Sequence, residues 1–324
     1  LNESPEDEAK PARDWDRYWR GTWEAAAHAD GGPQDRALER FWRDFFEDLP
    51  EALRTGRFLD VAAGNGAVLR YLRGLASPPP DVFALDYSVS ALFNLRRRHP
   101  GVHCLAADAF HPPLIEGGFA AVVSQFGIEY AGVDAIDAAA TLVAAGGCLA
   151  LVLHYRDGAI YRECANNRKV LLDIERLDIL RLARDAFGAG FALNAGRGSA
   201  ERFKAAERAF TPAVRGLEQL LKREGRRVAG GLPAQLYRDL AAMYRRMSAY
   251  EEADVMDWID GLGPELDAYI GRMKSMLDAA VDAAVMDDLR RRLTAAGFGS
   301  VDRDALVIGS GSRPAAWTLV AWRV

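Results

Sequence analysis

Between Arg57 and Tyr155 the chain alternates short, continuously apolar runs with amphipathic stretches, and no other feature restricts the fold as strongly. "RFLDVAA", "DVFALD", "VHCLAAD", "FAAVVSQ" and "GCLALVLHY" read as strands; "AVLRYLRGLA", "SVSALFNLRRR" and "DAIDAAATLVA" read as helices. Ser88 stands where the second of these helices needs an N-cap. A strand that is apolar along its length must be covered on both faces, and strands joined through helices run parallel. The expected architecture is a doubly wound, mostly parallel α/β sheet.

The alternation stops after Tyr155. Helices are expected at 165–186, 199–226, 233–250 and 264–285, with glycine-rich breaks at 188–198 and 230–231. It resumes with the helix "DDLRRRLTAAG" and the strands "VDRDALVIG" and "AAWTLVAWRV". Near the start, "DWDRYWRGTWEAAAHA" and "QDRALERFWRDFFEDL" carry large apolar residues at helical spacing, separated by Gly31, Gly32 and Pro33. These boundaries divide the chain into an N-terminal helical segment or lid (1–50), an α/β domain (51–155 and 287–324) and a helical insertion (156–286).

A chain of 324 residues, 50% apolar, can bury one large core or two modest ones. No apolar run approaches the roughly 20 residues of a membrane-spanning helix. The acidic opening "LNESPEDEAKPARDWD" has no apolar core for a signal or transit peptide. Cys104, Cys148 and Cys164 show no paired spacing, so a cytoplasmic setting is expected. With His28, His99, His103, His111 and His154 they form no metal-ligand pattern, and no metal is expected. Charge is uneven: 156–246 holds 19 basic and 11 acidic residues, whereas 251–288 holds 11 acidic residues and only Arg272 and Lys274 as basic ones. Such blocks are read first as solvated helix faces that neutralise each other, and second as a basic surface for an anion or RNA.

In a parallel sheet, ligands sit beyond the carboxyl ends of the strands, and the turn after the first strand must let a ligand approach the backbone. Gly64 and Gly66 leave that room, and a helix starting near Ala67 would aim free N–H groups at the ligand. Carboxylates end three successive strands: Asp60, Asp86 (22 residues after Gly64) and Asp108. Asp86 can accept both hydroxyls of a ribose, and Asp108 an exocyclic amine such as that of adenine.

The run Asp60, Ala62, Gly64, Gly66, then "ALDYS" with Asp86 and Tyr87, then "AADA" with Asp108 and Ala109, resembles the class I S-adenosylmethionine-dependent methyltransferases. The resemblance covers 58–155 and resumes over 287–324 with "LTAAGFGSVD". It implies a seven-stranded sheet with an antiparallel last strand and S-adenosylmethionine as cofactor, S-adenosylhomocysteine being the product. The glycine loop would meet the methionine part, Asp86 the ribose and Asp108 the adenine. Ala62 departs from the glycine more usual there. A dinucleotide fingerprint would need glycine where Leu69 stands.

Methyl transfer from a sulfonium is an in-line displacement, so alignment of the nucleophile and exclusion of water supply most of the rate. The fourth strand ends in "SQFGIEY", which puts Gln125, Phe126, Glu129 and Tyr130 at the mouth of the pocket. Gln125 is read as a cofactor contact. The fifth ends in "LHYRD", where His154 can serve as general base; Glu129, after the fourth strand, is the second catalytic candidate. Tyr18, Trp19, Phe126, Tyr130, Tyr155 and Tyr161 are the candidates for holding a small-molecule acceptor. The alternatives are an RNA methyltransferase using the basic insertion and a cofactor-binding relative without catalysis. A homodimer through the insertion is a further expectation.

Overall fold

A computed structural model describes residues 33–72, 80–308 and 313–324. Seven strands form one sheet: β1 (Arg57–Val61), β2 (Asp81–Asp86), β3 (His103–Ala106), β4 (Phe119–Gln125), β5 (Val143–His154), β6 (Phe298–Val307) and β7 (Pro314–Arg323), in the order β3-β2-β1-β4-β5-β7-β6. β1 pairs parallel with β2 and β4, β2 with β3, and β4 with β5. β7 runs antiparallel to both β5 and β6. The sheet is thus the mostly parallel, seven-stranded one expected, with the last strand reversed. Strand order turns back between β1 and β4, and that is where such sheets hold ligands.

Helices of two turns or more are α1 (Pro33–Asp48), α2 (Val89–Arg98), α3 (Asp134–Thr141), α4 (Ala159–Arg176), α5 (Ile179–Asn194), α6 (Ala200–Glu224), α7 (Leu232–Arg245), α8 (Glu252–Ala279) and α9 (Ala283–Ala295). Ser88 caps α2 as expected, its Oγ accepting from the Ala91 N–H at 3.1 Å. α3 buries Ala135, Ile136, Ala139 and Ala140, and α9 buries Met286, Leu289 and Leu293, each at helical spacing. Both rows join Leu59, Val61, Leu85, Val122, Leu149 and Leu151 of the strands in one core. α1 buries Trp42, Phe45 and Phe46, Leu49 just after it is buried too, and Phe46 stacks on Phe58 of β1 at 6.1 Å. The helix expected in "DWDRYWRGTWEAAAHA", with Tyr18 and Trp19, lies outside the described residues.

The chain divides into two compact units. One holds the sheet, running to Glu163 and returning at Ser275–Val324, and the other is Cys164–Lys274. The second has its own core, which includes Val170, Ile174, Phe187, Leu217 and Leu220.

Several helical boundaries differ from expectation. The helix foreseen over 165–186 is divided at Asp178, whose φ of 52° ends one helix before the next begins. The glycine-rich stretch taken as a break is entered by α5, which runs through Gly188 and Gly190 to Asn194. At Gly190 a Cβ would lie 2.5 Å from Met247 Sδ, so this glycine serves close packing and not chain reversal. Pro264, expected to open a helix, lies inside α8, and Pro212 inside α6. The helix foreseen to 285 stops at Ala279, because Val281 forms a parallel bridge with Tyr155 beyond the end of β5. The helix expected from Ala67 is, over its described part, a turn followed by the 3₁₀ segment Leu69–Leu72.

The basic and acidic blocks meet. Arg184 pairs with Asp260 at 2.7 Å and Arg197 with Glu252 at 2.7 Å, while Arg181 and Arg223 pair with Asp178, Asp185, Asp173 and Glu224. No helix of the described residues is long and apolar enough to cross a membrane.

Candidate functional site

β1 delivers Asp60 and Val61 to the carboxyl edge of the sheet, and the chain then turns through three left-handed residues: Ala62 (φ 53°), Gly64 (φ 54°) and Gly66 (φ 88°). Two of these are the glycines singled out by sequence. The third, Ala62, tolerates the conformation despite its Cβ. Asp86, last residue of β2, accepts from the Gly64 N–H through Oδ2 and from the Ser88 N–H through Oδ1, each at 2.7 Å. It therefore ties the glycine turn to the start of α2. Each carboxylate oxygen has two lone pairs, so capacity for further donors remains.

Asp60 is 1% exposed, and neither of its carboxylate oxygens has a partner among the described residues. Burial, reinforced by the charge of Asp86, pushes its carboxyl well above the usual carboxylate range. Burial also raises Asp86, against the opposing effect of its two backbone donors. Asp108 follows β3 and is exposed; its Oδ1 accepts from the Phe110 N–H at 2.9 Å, while Ala109 is buried and Tyr87 exposed. The three acidic residues thus share one edge of three adjacent strands, as their spacing foretold.

On the other side of the strand-order reversal, β4 ends at Gln125, whose Oε1 accepts from Trp42 Nε1 at 2.6 Å. This leaves the Gln125 amide N–H donors for other use. Phe126 takes a left-handed φ of 51°, and its N–H donates to Val152 O at 2.8 Å. Glu129 and His154, at the ends of this turn and of β5, are both buried. His154 Nδ1 lies 2.8 Å from Glu129 Oε1, and the His154 backbone N–H donates to the same oxygen at 3.0 Å. In the tautomer with its proton on Nδ1, the ring donates to Glu129 and Nε2 is left as an acceptor. Phe126 lies 4.4 Å from the imidazole, centroid to centroid, and Tyr130 meets it edge-on at 5.7 Å.

The remaining candidates separate. Tyr155 is half-buried and stacks on Trp317 at 4.4 Å, and Trp317 Nε1 donates to Val281 O at 3.0 Å. The Val281 N–H donates to His154 O at 2.9 Å, so this extended segment pins the end of β5. Tyr161 lies in the first turn of α4, half-buried. Two supporting residues escaped sequence reasoning. Trp42 reaches Gln125 across 83 positions, which no local pattern reveals. Gly127 sits where a Cβ would fall 2.5 Å from Ala62 O, and its only signal was a glycine inside "SQFGIEY".

The family model described as "Methyltransferase domain" matches residues 58–147. Demethylmenaquinone methyltransferase of Renibacterium salmoninarum is 37% identical over 90 residues, 28% of this chain and 37% of that protein. The protein of the same name from Beutenbergia cavernae is 34% identical over 92 residues, with the same two shares. The chain spans just over a third of the length of the curated relatives it matches. The solved CurJ carbon methyltransferase has 12% identity and a TM-score of 0.43, with 90% of this chain and 54% of that one covered.

Proposed function

We propose, from the premise that residues 58–147 are a class I S-adenosylmethionine-dependent methyltransferase domain, that this chain transfers a methyl group to a small-molecule acceptor which yields a proton to His154. The observation that carries the reading is the buried Glu129–His154 pair on the same sheet edge as the glycine turn.

The residues fit the cofactor. Asp60 holds two buried oxygens without a partner among the described residues, and the left-handed turn at Gly64 and Gly66 leaves room for close approach to the backbone. Gly64, Gly66, Ala62 and Asp60 would hold the methionine part, Asp86 and Tyr87 the ribose, and Asp108 and Ala109 the adenine. Gln125 would add its amide donors. When bound, S-adenosylmethionine supplies a methyl group on a sulfonium, already activated for displacement.

His154 Nε2 removes the proton from the acceptor's reacting atom. The imidazolium that results lies against the Glu129 carboxylate, which stabilises the charge and holds the tautomer. Phe126 and Tyr130 flank the ring and would shield the reacting atom from water, and Tyr155 and Tyr161 are the remaining acceptor candidates among the described residues. The name of the curated relatives, demethylmenaquinone methyltransferase, supports a small-molecule acceptor. The RNA alternative is weakened because arginines of the basic block are engaged by neighbouring carboxylates. The helical insertion is assigned, within this proposal, to acceptor choice or self-association.

The test is methyl transfer to a panel of phenols, quinols, amines and thiols, followed by mass spectrometry, with His154→Gln and Glu129→Gln compared against the parent. His154→Gln is expected to lower kcat by roughly 10²–10⁴-fold while leaving S-adenosylhomocysteine affinity unchanged. Binding of the cofactor without turnover of any acceptor would point to the non-catalytic relative. Unchanged kcat in both variants would remove the base from the mechanism.

A further inference from the structure

Within the unit Cys164–Lys274, α6 and α7, with Ile179 of α5, line a half-open cavity of about 340 Å³. Its apolar wall comes from Ile179, Phe210, Leu217 and Leu240, all buried. Two carboxylates, Glu207 and Glu218, also line it, both half-buried. Each is held by a phenol from α7: Tyr244 Oη donates to Glu207 Oε1 at 2.8 Å, and Tyr237 Oη donates to Glu218 Oε1. Burial, with the bond to Glu207, raises the Tyr244 hydroxyl, and the bond to Glu218 raises that of Tyr237, so both phenols keep their protons. No ion pair reaches either carboxylate among the described residues. Arg215 and Arg245 complete the charged lining but are exposed, where water screens them. The buried part of the wall is therefore apolar, and the half-buried part carries phenols and carboxylates.

We propose that this cavity is a binding site for a lipophilic organic cation, with Glu207 and Glu218 as its counter-charges. The apolar wall takes the body of the ligand, and the phenol rings and carboxylates together take the positive centre, which gains from the quadrupole of the rings as well as from the charges. The site lies inside the helical unit and stands independently of methyl transfer.

Tetraphenylphosphonium and tetraphenylborate, near-isosteric ions of opposite sign, distinguish this role from a purely structural one when each is titrated calorimetrically into the full chain. The phosphonium is expected to bind one to one and at least about tenfold more tightly than the borate. The double variant Glu207→Gln/Glu218→Gln is expected to lose that preference, and Ala241→Leu, which fills the cavity, to weaken the phosphonium by a similar factor; circular dichroism confirms the fold of each. Equal or tighter binding of the borate overturns the proposal. So does phosphonium binding that survives both variants, since the cation would then sit elsewhere, and so does an absence of phosphonium binding.

Discussion

Replacing Asp60 by Asn is expected to change stability in a way that depends on pH. In the folded chain this carboxyl is buried, neither oxygen has a partner among the described residues, and burial with the nearby charge of Asp86 holds it well above the usual carboxylate range. A group whose folded pKa is raised contributes its full share of stability below the unfolded pKa and loses it as pH rises towards the folded value. Each unit of elevation removes about 1.4 kcal/mol, and the gap between 3.8 and neutrality sets a ceiling of about 4 kcal/mol at pH 7. Asn has nearly the same shape and does not titrate. Its amide still lacks partners, at a cost of about 1–3 kcal/mol that is the same at every pH. The diagnostic quantity is therefore the slope: Tm of Asp60→Asn minus Tm of the parent rises between pH 4 and pH 7, by roughly 2–4 °C for each kcal/mol of difference. Scanning calorimetry at closely spaced pH values measures it. A difference that stays flat or falls with pH would refute the assignment of a desolvated carboxyl. The same variant is expected to bind S-adenosylmethionine more weakly, so stability gained in the free chain is matched by function lost.

Asp86→Ala removes the acceptor of the Gly64 and Ser88 N–H groups as well as the proposed ribose contact. Calorimetric titration with S-adenosylhomocysteine is expected to show affinity lower by about one to two orders of magnitude, and undiminished affinity would displace Asp86 from the cofactor site. Gly127→Ala sets a methyl group against the Ala62 carbonyl and Cβ. It is expected to weaken cofactor binding while the far-ultraviolet circular dichroism stays that of the parent, and wild-type affinity would show that the Ala62 turn can move freely. Ser88→Ala, which deletes the cap of α2, is expected to lower stability by about 1 kcal/mol in denaturant titration.

β1, β4 and the second half of β5 were legible because a buried strand must be largely apolar, and each of these stretches is. Asp60, Asp86 and Asp108 were legible because a carboxylate at a strand's carboxyl end is a local mark repeated three times. The helical boundaries of the second unit were less so. Gly190 and Pro264 carry the composition of breaks yet lie inside helices, since packing against Met247 demands the first and a 28-residue helix absorbs the second.

Glu129 and His154 were each recognisable as polar groups near strand ends, but their pairing was not. It depends on β4 and β5 being neighbours in register, with Gln125 opposite Val152, and on the bridge from Tyr155 to Val281 that pins the end of β5. The bond from Trp42 to Gln125 depends likewise on α1 packing against the sheet. Periodicity and punctuation are properties of neighbouring residues, and they determined the elements and the sheet edge that carries the candidate site. Which side chains meet on that edge is decided by strand order, register and the return of distant segments, which exist only once the chain has folded.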